Sequence, residues 1–108
     1  MQEARQENID EITIDFTNRI NESYLRAIGY QIEYLLKSMF GGSFLPVNVS
    51  GTKDQVSAFA RALGNEKRYI DVFNRFGLTD PRTLSSRHSL ERAISGFEGA
   101  TGIKWPFK

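Results

Sequence analysis

The sequence predicts an α+β domain: a β-α-β unit with a short two-stranded sheet, followed by two or three C-terminal helices. Three observations carry this. Residues 11–16 alternate polar and apolar with the period of a half-buried strand, and residues 18–40 repeat apolar side chains at spacings of three and four. A second short apolar alternation then ends at Gly51 and gives way to a helix-start signal at Thr52. With 108 residues, 40% of them hydrophobic and 25% charged, the chain has the length and composition of one globular domain. Residues 1–8 are polar and aperiodic and read as a flexible lead-in, leaving residues 9–108 as the domain.

In the first strand Ile12, Ile14 and Phe16 share one face, and Glu11, Thr13 and Asp15 the other. The first helix carries Leu25, Ile28, Ile32, Leu35, Leu36 and Met39 on its apolar side, with Asn18 or Asn21 as its cap and Gly41-Gly42 as its stop. Gly29 lies in its interior, where glycine costs about 1 kcal/mol relative to alanine, so a close contact with a neighbouring element is expected there. Tyr24, Tyr30 and Tyr34 read as amphipathic side chains at the core margin. Phe44–Ser50 forms the second strand, with Leu45, Val47 and Val49 on one face and Pro46 marking its start or an edge.

Thr52 and Gln55 form a capping box for a helix with Val56, Phe59, Ala60 and Leu63 inside. Gly64-Asn65 suggests a stop and restart, with a continuous helix through Phe76 as the alternative. Tyr69, Ile70, Phe73 and Phe76 supply the apolar side of that segment. Thr79-Asp80-Pro81 starts at least one further turn, and Ser85 or Ser86 caps a last helix buried through Leu90, Ala93, Ile94 and Phe97. Gly99 and Gly102 then release the chain into an aromatic tail, residues 103–107.

The connection between the strands is long enough for a parallel, right-handed crossover. Two strands alone are marginal in water and leave two edges open. Self-association completing the sheet is therefore expected, with Ile12, Ile14, Val47, Trp105 and Phe107 at the interface. The alternatives are edges covered by helices and a third strand supplied by the tail.

The absence of cysteine excludes disulfides, a thiolate nucleophile and cysteine-ligated metal, and fits a reducing cytoplasm. No secretory start and no apolar run of roughly 20 residues is present, so a soluble, cytoplasmic chain is expected. The net charge of +1 is unevenly spread. Residues 1–50 carry four basic against seven acidic side chains, and residues 51–108 ten against six. The second half is the electropositive one, which tilts the expectation towards an anionic partner.

Phosphate-cradling glycine loops, the serine-hydrolase elbow and the His-Glu-x-x-His metal pair are all absent. The acidic group Glu7, Asp10, Glu11 and Asp15 reads as a solvated strand face rather than a cation site; neither a metal nor a cofactor is expected. His88, beside Arg87 and three residues before Glu91, is the one acid/base candidate, the role a small metal-independent nuclease would require. Its ordinary reading is a solvated helix face with an Arg87–Glu91 pair. Arg68, Arg75, Arg82, Arg87 and Arg92 form an arginine-rich stretch with Tyr69 as a stacking aid. Arginine suits bidentate phosphate contact, and the competing reading is an ion-pair ladder in which Asp71 serves Lys67, Arg68 and Arg75. For Trp105-Pro106-Phe107 the two readings are a docking tail and a segment folded back on the core.

The stretches Val49-Ser50-Gly51-Thr52-Lys53-Asp54-Gln55-Val56, Glu66-Lys67-Arg68-Tyr69, Asp80-Pro81-Arg82-Thr83 and Thr101-Gly102-Ile103-Lys104-Trp105-Pro106-Phe107-Lys108 resemble small uncharacterised proteins encoded by bacteriophages. The resemblance covers about residues 47–108 and implies a context rather than an activity: host-takeover factors, inhibitors of defence enzymes, sequesterers of nucleotide signals, virion components. The function expected is a non-enzymatic, self-associating binding protein that presents its Arg-rich half to nucleic acid or a nucleotide-like ligand. A protein-binding inhibitor or assembly component acting on a host or virion protein, and a nuclease using His88, are the alternatives.

Overall fold

Alternation at residues 12–15 becomes β1 (Ile12–Asp15), and the helical period that follows becomes α1 (Glu22–Phe40). β2 (Val47–Ser50), α2 (Lys53–Phe76) and α3 (Pro81–Thr101) complete the order in this computed structural model, which describes residues 12–17, 22–42 and 46–107. The 1–8 lead-in, the acidic residues Glu7, Asp10 and Glu11, the cap candidates Asn18 and Asn21, the strand residues Phe44 and Leu45, and the side chains of Tyr24 and Leu25 lie outside the described residues. The fold is the expected α+β arrangement, among the described residues a parallel two-stranded sheet with three helices.

Ile12 pairs with Val47 and Ile14 with Val49, flanked by bonds from Ile12 N to Pro46 O (3.0 Å) and from Phe16 N to Ser50 O (2.8 Å). This register turns the backbone of Ile12, Ile14 and Phe16 towards β2, so in a parallel ladder the amides and carbonyls of Val47 and Val49 point to the opposite edge. Side chains follow the pleat: Ile12, Ile14 and Phe16 are buried, Val47 and Val49 pack against the same core, and Thr13, Asn48 and Ser50 are exposed. Ile28, Ile32, Leu35 and Leu36 of α1 join that core, and Gln31 Nε2 donates to Thr13 O on the outer edge of β1 (3.0 Å).

The centre is aromatic. Phe16, Phe59 and Phe97 meet with ring centroids 5.6–5.9 Å apart, and Trp105 packs on Phe97 at 5.1 Å. Edge-to-face contacts of this kind add to plain area burial. Trp105 reaches the centre because α3 ends at Gly102 in the left-handed region (φ 78°), which turns the tail back over the helices. Thr101 Oγ1 donates to Phe97 O and accepts from Ile103 N, fixing the first residues of that return.

Several local expectations are corrected. Gly64-Asn65 does not interrupt α2, and Asn65 Nδ2 instead donates to Arg61 O within the same helix. The buried side of α2 is Gln55, Ala58, Phe59, Ala62, Glu66 and Ile70; Val56 is half-buried and Ala60 exposed. Neither Ser85 nor Ser86 caps a helix, because Asp80 before Pro81 already starts α3, its carboxylate accepting from Arg82 N at 2.8 Å. Gly99 lies inside α3, and Gly102 alone releases the tail. Among the described residues no neighbouring side chain or packed element approaches Gly29 within 4 Å of where a Cβ would stand, so none of them offers the close contact that would offset its cost. Tyr30 and Tyr34 are exposed rather than at the core margin. The side chains of Ile12, Ile14 and Trp105 lie in the core of the chain, each at most 7% exposed. Phe107 is half-buried and packs on Phe40 with centroids 5.2 Å apart.

Candidate functional site

The turn between α2 and α3 sets the position of one arginine with unusual definition. Arg82 Nε donates to Asp80 Oδ1 (2.9 Å) and its Nη2 to Asp80 Oδ2 (3.0 Å), while its Cζ stands 3.5 Å from the centroid of the Phe76 ring. The Arg82 side-chain hydrogen bonds, followed by its backbone amide, hold the Asp80 carboxyl down at about 2. Thr83 Oγ1 donates to Gly77 O at 2.6 Å and ties the start of α3 to the end of α2. Arg82 is therefore a fixed guanidinium, with two of its five N–H groups engaged by Asp80 and the others still available.

Beside it, a recess of about 310 Å³ is lined by Arg68, Val72, Phe76, Arg82, Ser85, Ser86 and Ser89. Ser86 is 7% exposed and its Oγ has no hydrogen-bond partner among the described residues. Native interiors seldom leave a hydroxyl in that state. Arg68 makes no ion pair among the described residues, since Asp71 pairs with Lys67 at 3.6 Å instead of joining a ladder. Two arginines and three serines thus line one recess, a donor-rich set of residue types suited to an oxyanion.

The other sequence-derived candidates lie elsewhere. Tyr69 and Arg87 line a separate cavity of about 520 Å³ between α2 and α3, together with Glu66, Leu90, Ile94 and Phe107. Arg75 and Arg92 are exposed and line neither space. Of the six residues, Arg68 and Arg82 share one recess and Tyr69 and Arg87 the other, while Arg75 and Arg92 line neither. His88 is 74% exposed, its Nδ1 3.7 Å from Glu91 Oε1, while Arg87 Nε lies 3.5 Å from Glu91 Oε2. Among the described residues no three His, Cys, Asp or Glu side chains gather as a metal site, and no helix is long and apolar enough to cross a membrane.

Sequence reasoning missed Glu66, which is 3% exposed and accepts a hydrogen bond from Trp105 Nε1 at 2.8 Å. Burial raises its pKa above the ordinary carboxylate value, and the indole bond offsets this only in part. One signal was available, because Glu66 stands four residues after Ala62 and four before Ile70, on the buried stripe of α2. Ser86, a cap candidate by sequence, instead lines the recess.

Among the described residues the fold is a small α+β arrangement in which a parallel β-α-β unit is backed by a packed helix pair. Comparison with family models, curated proteins and solved structures finds no match to this chain.

Proposed function

We propose that this chain is a non-enzymatic binding protein that self-associates through its short sheet and takes an anionic, phosphate-bearing partner against the Arg-rich α2–α3 pair. The recess between Arg68 and Arg82 is the observation that carries the reading, because it combines two guanidiniums with the buried, unpartnered hydroxyl of Ser86. Asp80 offsets part of the charge of Arg82 but also fixes its plane, which lowers the ordering cost of a bidentate contact. Arg68 supplies the second positive group.

Titration with a mononucleotide and with a single-stranded oligonucleotide, each at low and at physiological salt, tests the reading. Binding is expected to weaken by at least about tenfold in Arg68→Ala, the loss of one charge-assisted contact. For the oligonucleotide, affinity should also fall steeply with salt as counterions are released. Affinity unchanged by Arg68→Ala, or flat with salt for the oligonucleotide, overturns it.

Self-association draws support from β2. Among the described residues nothing pairs with the outward amides and carbonyls of Val47 and Val49, and residues 41–52 contain no charged side chain to guard the edge. Native mass should correspond to more than one copy, and Val49→Pro, which removes an outward N–H without touching the β1 ladder, should reduce it to one.

A further inference from the structure

We infer that the cavity between α2 and α3, closed by Phe107 and floored by Glu66, is a binding site for a small organic cation, an amine or amidine carried on an apolar or aromatic body. Glu66 contributes the decisive observation. Its side chain is buried, Oε1 is held by the Trp105 indole, and no described residue donates to Oε2 or supplies a cation to the carboxylate. A carboxylate removed from water is ordinarily paired with a positive group, and here no described residue supplies the counter-charge.

The rest of the lining fits the same chemistry. Tyr69 and Phe107 offer aromatic rings to a cation, and Leu90 and Ile94 offer apolar surface to the body that carries it. Arg87, the one basic side chain in the lining, is within reach of Glu91 (3.5 Å), which lines the cavity as well. With Glu66 ionised the lining therefore holds two carboxylates against one guanidinium, a balance that favours a cationic guest. At about 520 Å³ the cavity matches the space needed by a molecule of this size. This chemistry is opposite to that of the Arg68–Arg82 recess, so the two proposals stand or fall separately.

The chain's one tryptophan makes the test direct, because its indole N–H is bonded to the proposed recognition group. The full chain is titrated with 2-phenylethylamine, with the neutral 2-phenylethanol and with the anionic 3-phenylpropanoate, following the single indole N–H resonance. Saturable movement with the amine, and binding of the alcohol at least about tenfold weaker, is expected from loss of one charge-assisted hydrogen bond. Glu66→Gln keeps an acceptor for Trp105 and should weaken amine binding by a similar factor while the alcohol is unaffected. Equal binding of amine and alcohol would reduce the cavity to an apolar one and overturns the proposal, as does preference for the anion. Silence of the indole resonance to all three overturns it too, and this comparison uses the natural chain whatever the variant does.

Discussion

Gly51 shows how tightly single residues are specified where β2 hands the chain to α2. A Cβ at this position would stand 2.8 Å from Gln55 Oε1 and 3.0 Å from Phe16 Cβ. Neither neighbour is free to yield: Gln55 Oε1 accepts from Thr52 N at 2.9 Å in the capping box, and Phe16 is fully buried in the aromatic centre. Gly51→Ala should therefore destabilise by about 1–3 kcal/mol, the usual cost of overpacking a filled site. On a domain this small that is a drop of roughly 4–8 °C in Tm per kcal/mol, readable in a thermal melt. The glycine and the capping box are both visible in the sequence, since turn and cap chemistry is local. Glu66 and Ser86 are not, because their state depends on partners far along the chain: Trp105 lies 39 residues from the carboxylate it donates to. A charged residue on a buried stripe was the available hint, and composition alone argued against reading it so.

Elements were legible where one local signal had no competitor and obscure where two signals conflicted. Period-two alternation located both strands, and Asp80-Pro81 located a helix start, but Ser85-Ser86 offered a second cap that the earlier start made redundant. In α2 the local preference of Gly64-Asn65 for ending a helix loses to packing on both sides of it, with Phe59 and Ala62 buried before the glycine and Glu66 and Ile70 after. Continuity of this helix matters because Glu66, Arg68 and Tyr69 reach their respective recesses only if the helical register carries through residue 64. Gly64 is exposed, and among the described residues no side chain or neighbouring element lies within 4 Å of its added Cβ. Gly64→Ala should thus stabilise by about 0.5–1 kcal/mol. Unchanged or reduced stability in a denaturant titration would mean that the chain bends at this position.

At the scale of the whole molecule, two groups of carboxylates pull the pH dependence of stability in opposite directions. Asp80, down at about 2 from an ordinary 3.8, favours the folded state above that ordinary value and loses its contribution as the pH falls through about 2. Hydrogen bonds from Thr17 lower Asp15 in the same sense. Both are half-buried groups that remain in contact with solvent, so screening keeps their effect small. Glu66 works the other way. Burial raises its folded-state pKa above the ordinary 4.5, so the folded chain holds this proton more tightly than the unfolded chain. Below 4.5 both states are protonated and no penalty exists; as the pH climbs from there through the folded-state value, the cost of ionising a buried carboxylate accumulates and then stays constant. Glu66→Gln removes that cost and keeps the acceptor for Trp105 Nε1. Thermal melts of the natural chain and the variant across about pH 3 to pH 8 should therefore diverge, the variant melting higher towards neutrality and the gap closing on the acid side. A gap of constant size across the range would place the difference in packing rather than in the proton, and a variant less stable at neutral pH would mean that the carboxylate is paired in solution by a group that Gln cannot satisfy.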